Sequence, residues 1–186
     1  MKKTVAHAFV CLFIFLLYPG TSPLPAQAAD KLPQPVLISS AGQSADVAIA
    51  GMLCKKLSLQ AKSQPLAKPA DLQGIGTLMV VSGFSTKGLG AAGVSKEQEM
   101  ERVKALLDAA REKKIRVITL HLGGKARRGG QSDDFNRLAA EASERLIVVR
   151  TGDEDQFFSS LAAGKKIPID LVDKISDAMQ PLGKIF

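Results

Sequence analysis

The sequence predicts an α/β domain of three layers, Rossmann-like or flavodoxin-like, in which helices cover both faces of a mostly parallel sheet of four to five strands. Two observations carry that expectation. Short continuous apolar, β-branched runs at 77–82 (TLMVVS), 115–122 (IRVITLHL) and 145–150 (RLIVVR) have the composition of strands buried on both faces. Stretches of helical period separate these runs, and alternation of strand and helix implies right-handed crossovers and parallel pairing.

The elements follow in order. Lys2 and Lys3, an apolar stretch over 8–17, then Pro19, Gly20 and the small residues Ala26 and Ala28 form the pattern of a secretory signal peptide. Residues 1–28 are therefore expected to be cleaved before Ala29, giving an exported chain that is periplasmic or extracellular and retains no stable membrane span. Residues 29–35, with two prolines, read as a linker, and 36–186 as a single α/β domain. Val36, Leu37 and Ile38 open a first buried strand that ends at Ser39 and Ser40, and 44–57 is an apolar helix. An edge strand fits within 57–66, where Pro65 argues against a central position. After the strand at 77–82, Ser95 and Gln98 form a capping box, followed by the stripe Met100, Val103, Leu106, Leu107 and Ala110. The strand at 115–122 precedes a helix over 132–142. The strand at 145–150 precedes a helix over 153–163, with Gln156 placed to complete its cap and Gly164 as its stop. A turn and a last helix containing Pro181 complete the chain.

Composition narrows the function. Without residues 1–28 the chain keeps 23 basic and 18 acidic residues, a formal charge of +5 that favours anionic partners. It has no tryptophan and few aromatics, so the stacking residues of a single-strand nucleic-acid binder are missing and no nucleic-acid partner is expected. Cys54 is the one cysteine left. It cannot form an internal disulfide, and its apolar helical setting makes it a packed thiol.

In open parallel sheets ligands gather beyond the carboxyl ends of the strands, where strand order reverses. The loops expected there contain Ser39, Ser40, Gly42, Gln43 and Ser44, then Gly83, Ser85, Lys87 and Gly88, then Gly123, Gly124, Arg127 and Arg128, with Lys125 adding a further cation. Small residues let backbone N–H groups approach an anion, and the cations supply donors. The leading reading is a binding protein for a small phosphate- or carboxylate-bearing ligand, with no cofactor and no metal. Glycines and serines are also ordinary turn and cap residues.

Gly88, Gly90 and Gly93 match the spacing G-x-G-x-x-G, but they do not follow the first strand and stand before the cap at Ser95, so a dinucleotide site is not expected. No P-loop is present. His121, at the end of a central strand, suggests an alternative: a small hydrolase pairing it with Ser40 or Ser44 and with Asp46 or Asp133. No G-x-S-x-G elbow accompanies it. Asp46, His121, Asp133 and Asp134 lack diagnostic metal-ligand spacing. A protein-interaction module without pocket chemistry is the third reading; its partner is not specified by the sequence.

The runs PVLISSAGQSADV (35–47), STKGLGAAG (85–93), HLGGKARRG (121–129) and KISDAMQPL (174–182) resemble a family of exported bacterial proteins classed as a domain of unknown function. The resemblance covers almost the whole chain after residue 28. It implies a self-contained exported module and assigns no functional residue.

Overall fold

The computed structural model describes residues 31–186, so the signal segment and the cleavage position before Ala29 lie outside the described residues. Six strands form one sheet: β1 (Val36–Ala41), β2 (Ala61–Ser63), β3 (Thr77–Ser82), β4 (Arg116–His121), β5 (Arg145–Val149) and β6 (Ile169–Val172). Their spatial order is β2-β1-β3-β4-β5-β6, and every pair is parallel. This is the flavodoxin-like order with one added strand.

Burial on both sides explains the continuous apolar runs. On one face Ile38, Val81, Ile118 and Ile147 pack against Leu53 of α1 (Asp46–Lys56) and, through α6 (Met179–Ile185), against Leu182. On the other, Leu37, Leu78 and Val80 meet Leu106 of α3 (Lys96–Glu112) and Phe135 of α4 (Gly130–Ala142); Leu146 and Val148 meet Phe158 of α5 (Phe157–Lys165). Cys54 is fully buried with its Sγ 3.9 Å from Met79 Sδ, and burial pushes its thiol up to about 11, which keeps it protonated and inert.

Several elements differ from the sequence expectation. The sheet has six strands because 169–172 forms β6. That strand is only four residues long, and Asp170, which interrupts its apolar pattern, is ion-paired with Arg145 at the start of β5. The short helix α2 (Thr86–Ala92) occupies what reads as a glycine loop; Ser85 caps it by accepting from the Gly88 amide, and Gly93 ends it in the left-handed region. Helix α5 begins at Phe157, not at 153, because Asp153 Oδ1 reaches forward to accept from the Phe158 and Ser159 amides. Gln156 makes no side-chain cap, and Gly164 lies inside the helix. Pro181 falls in the first turn of α6, where its missing N–H costs nothing. From Leu32 onward the stretch read as a linker is docked: Leu32 is buried and its amide donates to the Ile185 carbonyl.

Candidate functional site

β1 pairs with β2 on one side and β3 on the other, so strand order reverses at the carboxyl end of β1. There the chain turns through Gly42 at φ +100° and Gln43 at φ +58°. A glutamine in the left-handed region is strained and persists only where its surroundings hold it. What holds it is a buried ion pair on α3. Glu99 is 0% exposed; its Oε1 accepts from the Gly42 amide and from Gln43 Nε2, both at 3.0 Å. Arg102 grips the same carboxylate through two bonds of 2.8 Å, then donates to the carbonyls of Ser40 and Ala67 and to Ser39 Oγ. Ser39, Gly42 and Gln43, expected to face a ligand, are thus engaged in fixing the loop.

The fixed loop presents Ser44, whose Oγ donates to Asp46 Oδ2 at 2.7 Å. The loops after β3 and β4 close on the same place. The aliphatic stem of Arg127 lies between Gly83 and Gly123: a Cβ on Gly123 would stand 2.0 Å from Arg127 Cγ and 2.9 Å from Asp46 Oδ2, and one on Gly83 3.1 Å from Arg127 Cβ. Arg127 Nη1 donates to the Phe84 carbonyl at 2.9 Å. Three loops that are distant in sequence therefore meet at Gly123 and the stem of Arg127, with Ser85 capping α2, Gly88 within it and the exposed Lys87 between these two.

The two adjacent arginines of the β4 loop have different surroundings. Arg128 is bound by Asp133 and Asp155 at 2.8 and 2.9 Å, donates to the Gly152 carbonyl and stacks over the Phe157 ring. Desolvation opposes its charge, but those carboxylates outweigh the burial and raise its pKa; in return Arg128 holds Asp155 down at about 2. Arg127 is half-buried, and among the described residues it is the one arginine without a carboxylate in salt-bridge range. An opening of about 310 Å3 lies farther along the edge, between Lys125, Arg128 and Thr151. Lys125 pairs there with Glu154.

His121 is wholly buried against Phe158, with ring centroids 4.7 Å apart. Its Nε2 lies 3.1 Å from the carbonyl oxygen of Gly124, an acceptor only, so Nε2 carries the proton and Nδ1 is left a bare acceptor without a partner among the described residues. Burial is the main cause lowering its pKa below the usual 6.5, and the Arg128 charge adds to it. The unfolded chain then binds a proton that the folded one refuses. Stability is complete above about pH 6.5 and is expected to fall, by up to about 1.4 kcal/mol per pH unit, as pH drops from there through the folded value. Urea titrations at stepped pH should show this slope in the native chain and a shallower one in His121→Gln; equal slopes would exclude His121 as its source.

Strand register separates Ser40 from His121. Ser40 is level with Val81 on the α1 face, whereas His121 is level with Val148 on the face of α4 and α5. Ser40 and His121 therefore point to opposite sides of the sheet. Among the described residues no three of His, Cys, Asp and Glu gather as metal ligands do. Glu99 and Arg102 are the residues that sequence reasoning missed. The signal was their placement one turn before Val103 and Leu106, on the apolar stripe itself.

A family model described as a domain of unknown function, DUF6305, matches residues 33–186. The chain belongs to this family. The DUF6305 match begins beside Leu32, where the docked part of the chain starts, and runs through α6 to the last residue. No curated protein matches the chain. Among solved structures its fold is similar to that of a GDSL-like lipase from Bacteroides thetaiotaomicron VPI-5482, at 12% identity over 72% of this chain and 65% of that one, with a TM-score of 0.35. It is also similar to a candidate acylhydrolase from Bacteroides fragilis NCTC 9343, at 15% identity over 74% and 70%, with a TM-score of 0.33. The chain spans just under two thirds of the lipase's length.

Proposed function

We propose that this DUF6305 chain is an exported binding protein for a small phosphate- or carboxylate-bearing ligand, held at the carboxyl edge of the sheet between the loops after β1, β3 and β4. The observation that carries the reading is Arg127, a half-buried arginine whose stem lies between Gly83 and Gly123, whose guanidinium donates to the Phe84 carbonyl, and which lacks the counter-charge that the other described arginines have. Partly desolvating a charge without a partner is costly, and an anionic oxygen is the group that matches the guanidinium's remaining donors. Lys87 is a second, exposed cation at the same edge. Arg128 belongs to the scaffold in this reading.

Inorganic phosphate, acetate and citrate serve as probes. Saturation with the preferred one is expected to raise the melting temperature, a ligand at a hundred times its Kd contributing about 2.7 kcal/mol. Arg127→Ala should remove that rise and Arg127→Lys should retain part of it. A flat response of the native chain to all three, or a full response in Arg127→Ala, overturns the assignment.

A further inference from the structure

The opposite edge of the sheet carries a charge pattern that the ligand site does not use. In a parallel α/β domain the helices run back from the carboxyl to the amino ends of the strands, so their last turns and the loops after them share one face. Lys55 and Lys56 end α1, Lys113 and Lys114 follow α3, Lys166 follows α5 and Lys184 lies in the last turn of α6. All six are exposed, and among the described residues none has a carboxylate in salt-bridge range. Of the acids of this edge, Asp108 pairs with Arg111, Glu144 with Arg116, Asp170 with Arg145 and Glu141 at 3.9 Å with Arg137, while Glu112 at the end of α3 has no cation in salt-bridge range among the described residues, so the cations are in excess. At the carboxyl edge the cations are mostly matched instead, Lys96 pairing with Asp134, Lys125 with Glu154, Arg128 with Asp133 and Asp155 and Arg150 with Asp173, while Asp46 and Glu97 add further acids at helix starts. The domain is electrically polarised along its strands, positive at the amino edge. A cleft of about 520 Å3 opens on this face between the ends of α3 and α4, its walls mixing Lys104, Lys114 and Lys165 with Asp108, Glu141 and Glu144.

The chain enters the domain on this same face. Leu32 is bonded to the Ile185 carbonyl at the end of α6, and Lys31 Nζ donates to the Gly183 carbonyl. We infer that the lysine face docks on an anionic phospholipid surface, its cations against lipid phosphates and the carboxyl edge turned away. A nucleic acid is the poorer fit. Among the described residues the one large hydrophobic side chain standing exposed is Met52, so no aromatic platform for bases accompanies the lysines.

Cosedimentation of the full chain with vesicles tests the inference, comparing phosphatidylglycerol mixed with phosphatidylcholine against phosphatidylcholine alone. The 8–17 stretch contributes to both vesicle types, so the ratio of the two partition coefficients reports the electrostatic part. That ratio should be at least about tenfold and should collapse as salt is raised. The quadruple substitution Lys55→Gln, Lys56→Gln, Lys113→Gln, Lys114→Gln should return it close to one with the circular-dichroism melt retained. Lys96→Gln with Lys174→Gln, on the opposite edge, should leave it unchanged. Equal partition of the native chain into both vesicle types, an undiminished ratio in the folded quadruple variant, or tighter binding to duplex DNA than to the anionic vesicles overturns the inference.

Discussion

Glu99→Ala is expected to lower the unfolding free energy by about 3–5 kcal/mol, the usual cost of stranding one member of a buried ion pair. The Arg102 side chain is only 10% exposed, so without the carboxylate its charge is left inside the protein, and the Gly42 amide and Gln43 Nε2 lose their acceptor at the same time. A domain stabilised in total by about 5–15 kcal/mol would become marginal. Glu99→Ala combined with Arg102→Ala should cost less than the sum of the single changes, because each single variant already forfeits the shared interaction. Urea denaturation of the four proteins measures all of these terms. A loss below about 1 kcal/mol in Glu99→Ala would mean that the loop does not depend on α3.

Two glycines of α2 should respond to alanine with opposite signs. Within a helix, alanine is favoured over glycine by about 1 kcal/mol. At Gly90 a Cβ meets nothing within 4 Å, so Gly90→Ala should raise stability by up to that amount. At Gly88 the Cβ would lie 1.9 Å from the Gln43 carbonyl oxygen and 2.9 Å from its carbon. The obstacle is backbone that Glu99 and Arg102 hold in place, so no side-chain rotation relieves the overlap. Overpacking of this kind outweighs the helical gain, and a net loss of about 2–3 kcal/mol is expected for Gly88→Ala, together with loss of any ligand response. Thermal melts of the two variants side by side decide the point: a stabilised Gly88→Ala would mean that α2 and the β1 loop are not in firm contact.

The layers of the fold were legible because each strand of the sheet's interior carries its own signal. The run at 77–82 needs no context to read as a strand covered on both sides, and the Ser95 and Gln98 capping box marks the start of α3. β6 was hidden because the residue that breaks its pattern, Asp170, is neutralised by Arg145 from β5, a pairing set by tertiary structure. α2 was hidden because Gly88 is there to let the helix touch the β1 loop, and glycine in isolation reads as a break. Within the candidate site, several residues that sequence assigned to a ligand are bonded within the fold. Ser39 and Ser40 are neighbours that face opposite ways, one toward Arg102 and one toward the α1 layer, a consequence of the two-residue period of a strand. Arg127 and Arg128 look equivalent in a row of letters. Their difference rests on Asp155, from another loop, and on whether Asp133 turns toward one or the other.

The bond from the Gly42 amide to Glu99 also governs how this loop exchanges hydrogen with solvent. Amides in surface loops usually meet deuterium through small local fluctuations, at rates unrelated to global stability. The Gly42 amide has its acceptor on the neighbouring helix and beneath the sheet edge, so solvent reaches it only when α3 parts from β1. Its exchange should therefore run in step with the central strands, marking the tip of β1 as part of the slowest-opening unit of the molecule.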